Sequence, residues 1–366
     1  MCKLLDMTWI RMLMAGAREI LVFNRSRGPY RPVEPLPEEG IVDMHCHVAG
    51  IGAGGSGCFI SNEFRKNWRF PLYLKSFGVS EQELLEKSDS LVVKRLSQML
   101  DQSKFVEKAV VLAMDGVVSD GLLDTYRTQV YVPNEFVQKA LESVERYKNN
   151  LLFGASVNPY RNDALARLDW AKKKGAVLVK WLPSVMNIDP SDLKLEPFYK
   201  KLAELNLPLL THAGEDQSVP AANDELCDPE RLRLPLECGV KVIAAHIAST
   251  GSYQGECSTS RLLRMMREYS NLYSDISSLT QVNKLGYMKE ALTHEKEFKG
   301  RLFYGSDFPL INTKLVCPCY YLGRLTLRQI KSISSLKNRW DVDVKIKQDL
   351  GTPTDVFAKS RELLPR

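Results

Sequence analysis

Four of the chain's five histidines sit where short apolar runs end. His45 and His47 close IVDMHCH, His212 closes LPLLTH, and His246 closes VKVIAAH. A fourth run, RLFYGSD, ends on Asp307. Imidazole is the commonest protein metal ligand, and a strand end is a rigid mount for one. Alternate strand residues share a face, so His45 and His47 point together and Cys46 points away. The same alternation puts Asp43 on their side, one layer deeper. A lone H-x-H is as often two core histidines bonded to backbone carbonyls. Recurrence of the pattern on three further runs is what favours a metal centre, and three His with one Asp suit zinc, iron or manganese.

The elements that must carry these residues alternate along the chain. Strands are expected at 41–47, 108–114, 151–157, 176–182, 207–212, 241–246, 272–276 and 302–307. Several are nearly continuous apolar runs, as parallel strands buried on both faces require. Helical patterns fall between them, at 80–101, 134–148, 163–174, 196–205 and 258–269. Ser80 with Glu83 forms a capping-box signature, and Gly175 and Gly239 stand where helix C-terminal glycines belong. Eight such units close into an α/β fold, a (β/α)8 TIM barrel. The competing architecture is an open doubly wound sheet. It is disfavoured because no glycine-rich turn follows the first strand and the polar residues come from strands one, five, six and eight.

The expected division is an N-terminal helical extension and Pro-rich connector at 1–40, the barrel at 41–320, and a C-terminal helical segment at 321–366. The last strip reads as a helix with a polar tail outside the barrel. Residues 48–79 and 115–133 are long connections after strands, and in a barrel they rise over the face where active sites sit. Residues 8–23 are apolar but carry Arg11, Arg18 and Glu19. That is too short and too charged to span a membrane, and no secretory signal is evident. An amphipathic helix on the barrel is expected there, with a membrane-surface helix as the alternative.

The 366 residues, 44% hydrophobic and 26% charged, can bury a sizeable core. The net charge of +6 is spread without a long basic run, which argues against nucleic acid. Eight cysteines in so long a chain suggest free thiols and a cytoplasmic setting. Cys317-Pro-Cys319 lacks the spacing of a zinc knuckle.

Lys180 lies inside the apolar run VLVKWLP, with Leu178 and Leu182 on its side and Val179 and Trp181 on the other. If it faces the barrel interior, its ammonium needs a partner. Taken with DMHCH, LPLLTHAG, VIAAHIA and YGSDFP, this run makes residues 41–312 resemble the amidohydrolase superfamily, specifically its amidohydrolase-related group. That group includes hydrolases of amides, esters and lactones, and non-oxidative decarboxylases of aromatic or unsaturated acids.

The resemblance implies that His45, His47 and Asp307 hold a divalent metal, zinc first among candidates. In a two-ion site Lys180 would be carboxylated and bridge, with His212 and His246 on the second ion. In a one-ion site His212 joins the first three, and His246 acts as acid/base or orients water. The one-ion version is slightly favoured. The ion would lower the pKa of water from about 15.7 towards 7, with Asp307 as the catalytic base and then acid.

Arg65, Trp68 and Arg69 in the first long loop are candidate grips for an anionic or aromatic substrate. The plainer reading of the three is a solvated lid surface. Glu215, Asp216, Asp115 and Asp275 are candidate supports of the centre or water-facing residues, and His294 is expected on a surface helix. The function implied is a metal-dependent hydrolase of a C–N or C–O bond in a small molecule, with a decarboxylase as the alternative. A non-catalytic scaffold is the third reading, which the full ligand set opposes. No nucleic-acid partner is expected, and a homo-oligomer is allowed.

Overall fold

The computed structural model describes residues 28–143, 150–216 and 223–363. The N-terminal apolar stretch lies outside them. Eight parallel strands form one sheet in sequence order: β1 (Ile41–His47), β2 (Val106–Leu112), β3 (Leu151–Ala155), β4 (Leu178–Trp181), β5 (Leu209–Thr211), β6 (Val242–Ala244), β7 (Leu272–Asp275) and β8 (Leu302–Phe303). The chain beyond β8 returns to β1. Met44 N–H donates to Tyr304 O (3.3 Å), Asp307 N–H to His45 O (3.0 Å) and His47 N–H to Phe308 O (2.8 Å). These bonds bring the two ends of the sheet together, giving the TIM barrel that the alternation of apolar runs predicts.

Two layers of core follow from strand alternation. Val42, Met44, Val110, Leu112, Leu178, Leu210 and Ile243 fill the barrel interior. Cys46, Val111, Val179, Trp181 and Leu209 belong to the larger cluster beneath the helices. Trp181 there stacks on Phe198 of the helix Glu196–Glu204, with ring centroids 5.4 Å apart.

One expectation about β1 fails. Asp43 does not share a face with His45 and His47. The ladder to β2 carries an extra residue on β1: Asp43 pairs with Ala109 but Cys46 pairs with Val111. Such a bulge shifts the phase of alternation. Asp43 therefore turns to the helix side. It accepts from Trp340 Nε1 (2.7 Å) and Cys46 Sγ (2.9 Å), while the histidines turn inward.

Among the helices, α1 (Phe70–Ser76) lies within the first long connection. The single helix expected over 80–101 is two, α2 (Glu81–Lys87) and α3 (Ser90–Leu100). The Ser80–Glu83 capping box starts α2, as its sequence requires. The break comes at Ser88, whose φ is +73°, and at Asp89. The buried Asp89 carboxylate accepts from Ile51 N–H, Gly52 N–H and Ser56 Oγ. A continuous helix would forfeit those bonds, which pin the glycine-rich start of the first long loop. The two long loops also join each other, Phe59–Ile60 pairing antiparallel with Val130–Tyr131.

The expected polar tail is instead part of the core. α4 (Leu327–Ser334) and α5 (Arg339–Asp349) are followed by short helices at Thr354–Ala358 and Ser360–Leu363. α5 buries polar and apolar residues alike. Its Asp343 accepts from Thr280 Oγ1, Tyr304 OH and Lys347 Nζ, and Lys347 also donates to Gly305 O (2.8 Å). Satisfied in this way, the charges tolerate full burial. Trp340 stacks on Phe308 at 4.9 Å. α5 therefore backs the segment after β8 that carries Asp307. The connector docks on this segment as well, Tyr30 N–H donating to Leu350 O. Among the described residues no helix is long and apolar enough to cross a membrane.

Candidate active site

The candidate residues converge at the C-terminal ends of the strands. His45 Nε2 lies 3.2 Å from His47 Nε2. Asp307 Oδ1 stands 3.8 Å from the first and 3.6 Å from the second. Lys180, fully buried and facing the interior, places Nζ 3.1 Å from His45 Nε2. The His246 ring stacks 5.0 Å from His45, and His212 meets His246 edge-on at 5.3 Å.

Hydrogen bonds fix which nitrogen faces the centre. His45 Nδ1 lies 2.9 Å from Asp275 Oδ2, so the proton sits on Nδ1 and Nε2 offers a lone pair. His246 Nδ1 is 3.1 Å from the carbonyl oxygen of Ser277, which likewise requires the proton on Nδ1. Burial, reinforced by the positive charge of Lys284, holds His246 well below the ordinary imidazole range. Burial holds His47 well below it too, and pushes His212 down to about 4. These imidazoles are neutral at pH 7, the form that binds a cation.

The donor set fits a divalent ion. Lone pairs on His45 and His47 converge with a carboxylate oxygen, and all three atoms lie within 4.8 Å of one another. His212 Nε2 is buried without a hydrogen-bond partner, as is His47 Nδ1. An orphaned imidazole nitrogen costs stability unless something binds it. His45, His246 and Asp275 form a second close group. Their contacts there run through the Nδ1 atoms already engaged in hydrogen bonds, which suits support of the ligands better than an ion.

Asp275 is the hub of that support. Burial pushes its carboxyl up. His45, His246 N–H and the Ser277 hydroxyl outweigh this and hold it below the usual carboxylate range. Gly305 leaves room for the same packing: a Cβ there would lie 3.0 Å from Ser277 Cβ and 3.1 Å from His45 Cβ. Gly214, after His212, has φ +86°, and a Cβ there would lie 2.6 Å from Ser249 O. On the far side Ser278 Oγ donates to Asp307 Oδ2 and accepts from Gln281 Nε2.

The other sequence candidates separate. Arg65 is tied to Glu81 by a short ion pair. Trp68 is exposed, with the Arg69 guanidinium 5.7 Å above its ring. Arg69 lies near Tyr73, whose buried hydroxyl also feels Asp216 and Asp307. Asp216 is buried, accepts from Ser184 Oγ, and acts on both His212 and Lys180, whereas Glu215 is exposed. Asp115 is claimed by Arg161 in a two-pronged ion pair and lies outside the cluster. His294 pairs with Glu290 on a surface helix.

Sequence reading did not single out Ser277, Ser278, Tyr73 or Lys284. Ser277 and Lys284 lie in the loop after β7, and Tyr73 lies in α1, where no periodicity marks a function. A buried lysine in TQVNKLG is a signal visible only once burial is known.

An eight-stranded barrel with histidines and an aspartate at its C-terminal face defines a class of TIM-barrel enzymes. The amidohydrolase family model matches residues 42–325, and the chain belongs to that family. It is an enzyme family with both hydrolase and decarboxylase members. No curated protein sequence matches the chain. Among solved structures it resembles an uncharacterised TIM-barrel protein from Bordetella bronchiseptica at 15% identity and TM-score 0.54, over 89% of this chain and 98% of that one. Manganese-bound 5-carboxyvanillate decarboxylase from Novosphingobium aromaticivorans matches at 11% identity and TM-score 0.45, over 86% and 95%. Dihydroorotase from Campylobacter jejuni matches at 14% identity and TM-score 0.39, over 88% and 83%.

Proposed function

We propose that the protein is a metal-dependent hydrolase that cleaves a C–N or C–O bond of a small molecule, an amide, ester or lactone. The observation that carries this reading is Asp307. Its Oδ1 stands beside the lone pairs of His45 and His47, while its Oδ2 is oriented by Ser278. His45, His47, Asp307 and His212 would hold one divalent ion, zinc being the first candidate. Such an ion supplies Lewis acidity, polarising a carbonyl and acidifying water towards neutral pH.

The chain's own residues do the rest. Asp307 takes a proton from the attacking water and returns it to the leaving group. His246, held by Ser277 with its proton on Nδ1, points Nε2 at the centre and accepts or orients the water's second hydrogen bond. Lys180 keeps positive charge beside His45 where the substrate carbonyl gains negative charge. The unpaired thiols of the described cysteines suit a reducing, cytoplasmic setting.

Metal analysis and an activity panel test the reading. Purified protein is expected to carry about one divalent ion per chain and to hydrolyse at least one amide, ester or lactone. Absence of bound zinc, manganese or iron overturns it. Release of carbon dioxide from aromatic acids without any hydrolysis moves the protein to the decarboxylase side of its family.

A further inference from the structure

We propose that Lys284 is the substrate-anion contact of this centre, and that the substrate carries a carboxylate which pairs with its ammonium. The inference rests on the enzyme reading above and narrows the substrate class.

Three lysines of the described chain are buried, and two are satisfied. Lys347 donates to Gly305 O and pairs with Asp343. Lys180 is hydrogen-bonded to His45. The Lys284 backbone N–H donates to Gln281 O (2.9 Å), but its side chain, 9% exposed, makes no hydrogen bond and no ion pair within 4.0 Å among the described residues. An ammonium so largely withdrawn from water without a protein partner is costly, and one that keeps a narrow opening to solvent is placed for a ligand to complete.

Its position points to the ligand. Lys284 ends a one-turn helix, Val282–Lys284, in the loop after β7, on the face of the barrel that carries the histidines. The turn is anchored: Val282 N–H donates to Leu315 O, and Gln281 donates through Ser278 to the Asp307 carboxylate. The Lys284 charge acts on His246 and His212, and Asp307, Asp216 and Asp275 act on it in turn. The ammonium thus lies within the field of the centre without touching its carboxylates. A single point charge with no guanidinium fork beside it matches a carboxylate monoanion better than a phosphate dianion.

The test uses the full chain loaded with zinc, and calorimetric titration with benzoate and with its neutral analogue benzamide. Wild type is expected to bind benzoate, Lys284→Met to bind it about tenfold more weakly or worse, and Lys284→Arg to recover part of the loss. Benzamide binding is expected to be the same in all three. The melting temperature supplies a readout that a structural lysine would move the other way. Removing an unpaired buried charge is expected to leave Lys284→Met at least as stable as wild type, whereas loss of a structural contact lowers its stability. Benzoate affinity that ignores the substitution, no benzoate binding by wild type, or a marked destabilisation of Lys284→Met overturns the inference. Metal content is measured on the same samples. A metal-free wild type sinks the metal-hydrolase reading, and retained metal with unchanged benzoate affinity sinks only the role of Lys284.

Discussion

Lys180 Nζ lies 3.1 Å from His45 Nε2, a contact reaching across the barrel interior from the fourth strand to the first. Burial lowers the lysine to about 8, and Asp275 and Asp307 oppose the fall. At neutral pH it therefore stays largely an ammonium, next to the lone pair that an ion would use. The pair is the hinge between the one-ion and two-ion versions of the site.

If Lys180 is not a ligand, its charge opposes cation binding. Lys180→Met is then expected to keep about one ion per chain, bound as tightly as in wild type or more so, while turnover falls. If Lys180 is carboxylated and bridges, wild type holds two ions and the variant loses one. Plasma mass spectrometry of both proteins, with an intact-mass search for the labile carboxylate on wild type, separates the two.

Asp275 fixes the tautomer of His45 and anchors His246 through its backbone N–H. Asp275→Asn keeps the size and removes the charge. Loss of such a supporting partner typically costs 10–100-fold in metal affinity, and about that loss is expected here. Competition with a chromophoric chelator measures it directly. Unchanged affinity would mean that His45 does not ligate through Nε2.

Asp307 is reached by Ser278 on one oxygen and faces His45 and His47 with the other. Asp307→Asn is expected to reduce kcat by about 10²–10⁴-fold, the range for loss of a positioned proton acceptor. Ser278→Ala, which leaves the carboxylate in place, is expected to lose far less. Steady-state kinetics on any substrate found in the hydrolysis panel checks both, with bound metal quantified in parallel so that loss of ligation is not mistaken for loss of a base.

These residues show what a sequence can carry. The eight strands were legible because most are short apolar runs set between amphipathic stretches, and His45, His47, His212, His246 and Asp307 because they stand at the ends of such runs. Lys180 was legible because a lysine within such a run has to be explained. Asp43 was misread because a bulge in β1 leaves no mark in composition yet reverses the alternation after it. Asp89 broke an expected helix for the sake of three hydrogen bonds to residues 51–56, a tertiary gain that outweighs helix propensity. α5 escaped as a core element because Asp343 and Lys347 look solvent-facing until Tyr304, Thr280 and Gly305 supply their partners. Lys284 and Tyr73 sit on short helices inside the long connections between strands, where pattern says least.

The neutral imidazoles tie stability to pH. His212 titrates at about 4 in the fold against an ordinary 6.5, with burial as the largest cause, and His47 and His246 are lowered as well. Between these values the unfolded chain binds protons that the native chain does not, so stability rises with pH there and falls on acidification. His212 alone corresponds to roughly 3 kcal/mol lost between pH 6.5 and 4. A saturating divalent ion, which competes with protons for the same nitrogens, is expected to raise the melting temperature at pH 7 and to lose that effect as the pH falls toward 4. Thermal unfolding of apo and zinc-loaded protein across pH 4–8 measures both. A melting temperature in the apo protein that is flat from pH 6.5 to 4 would contradict burial of neutral histidines. Zinc without effect at pH 7 would contradict the ligand set.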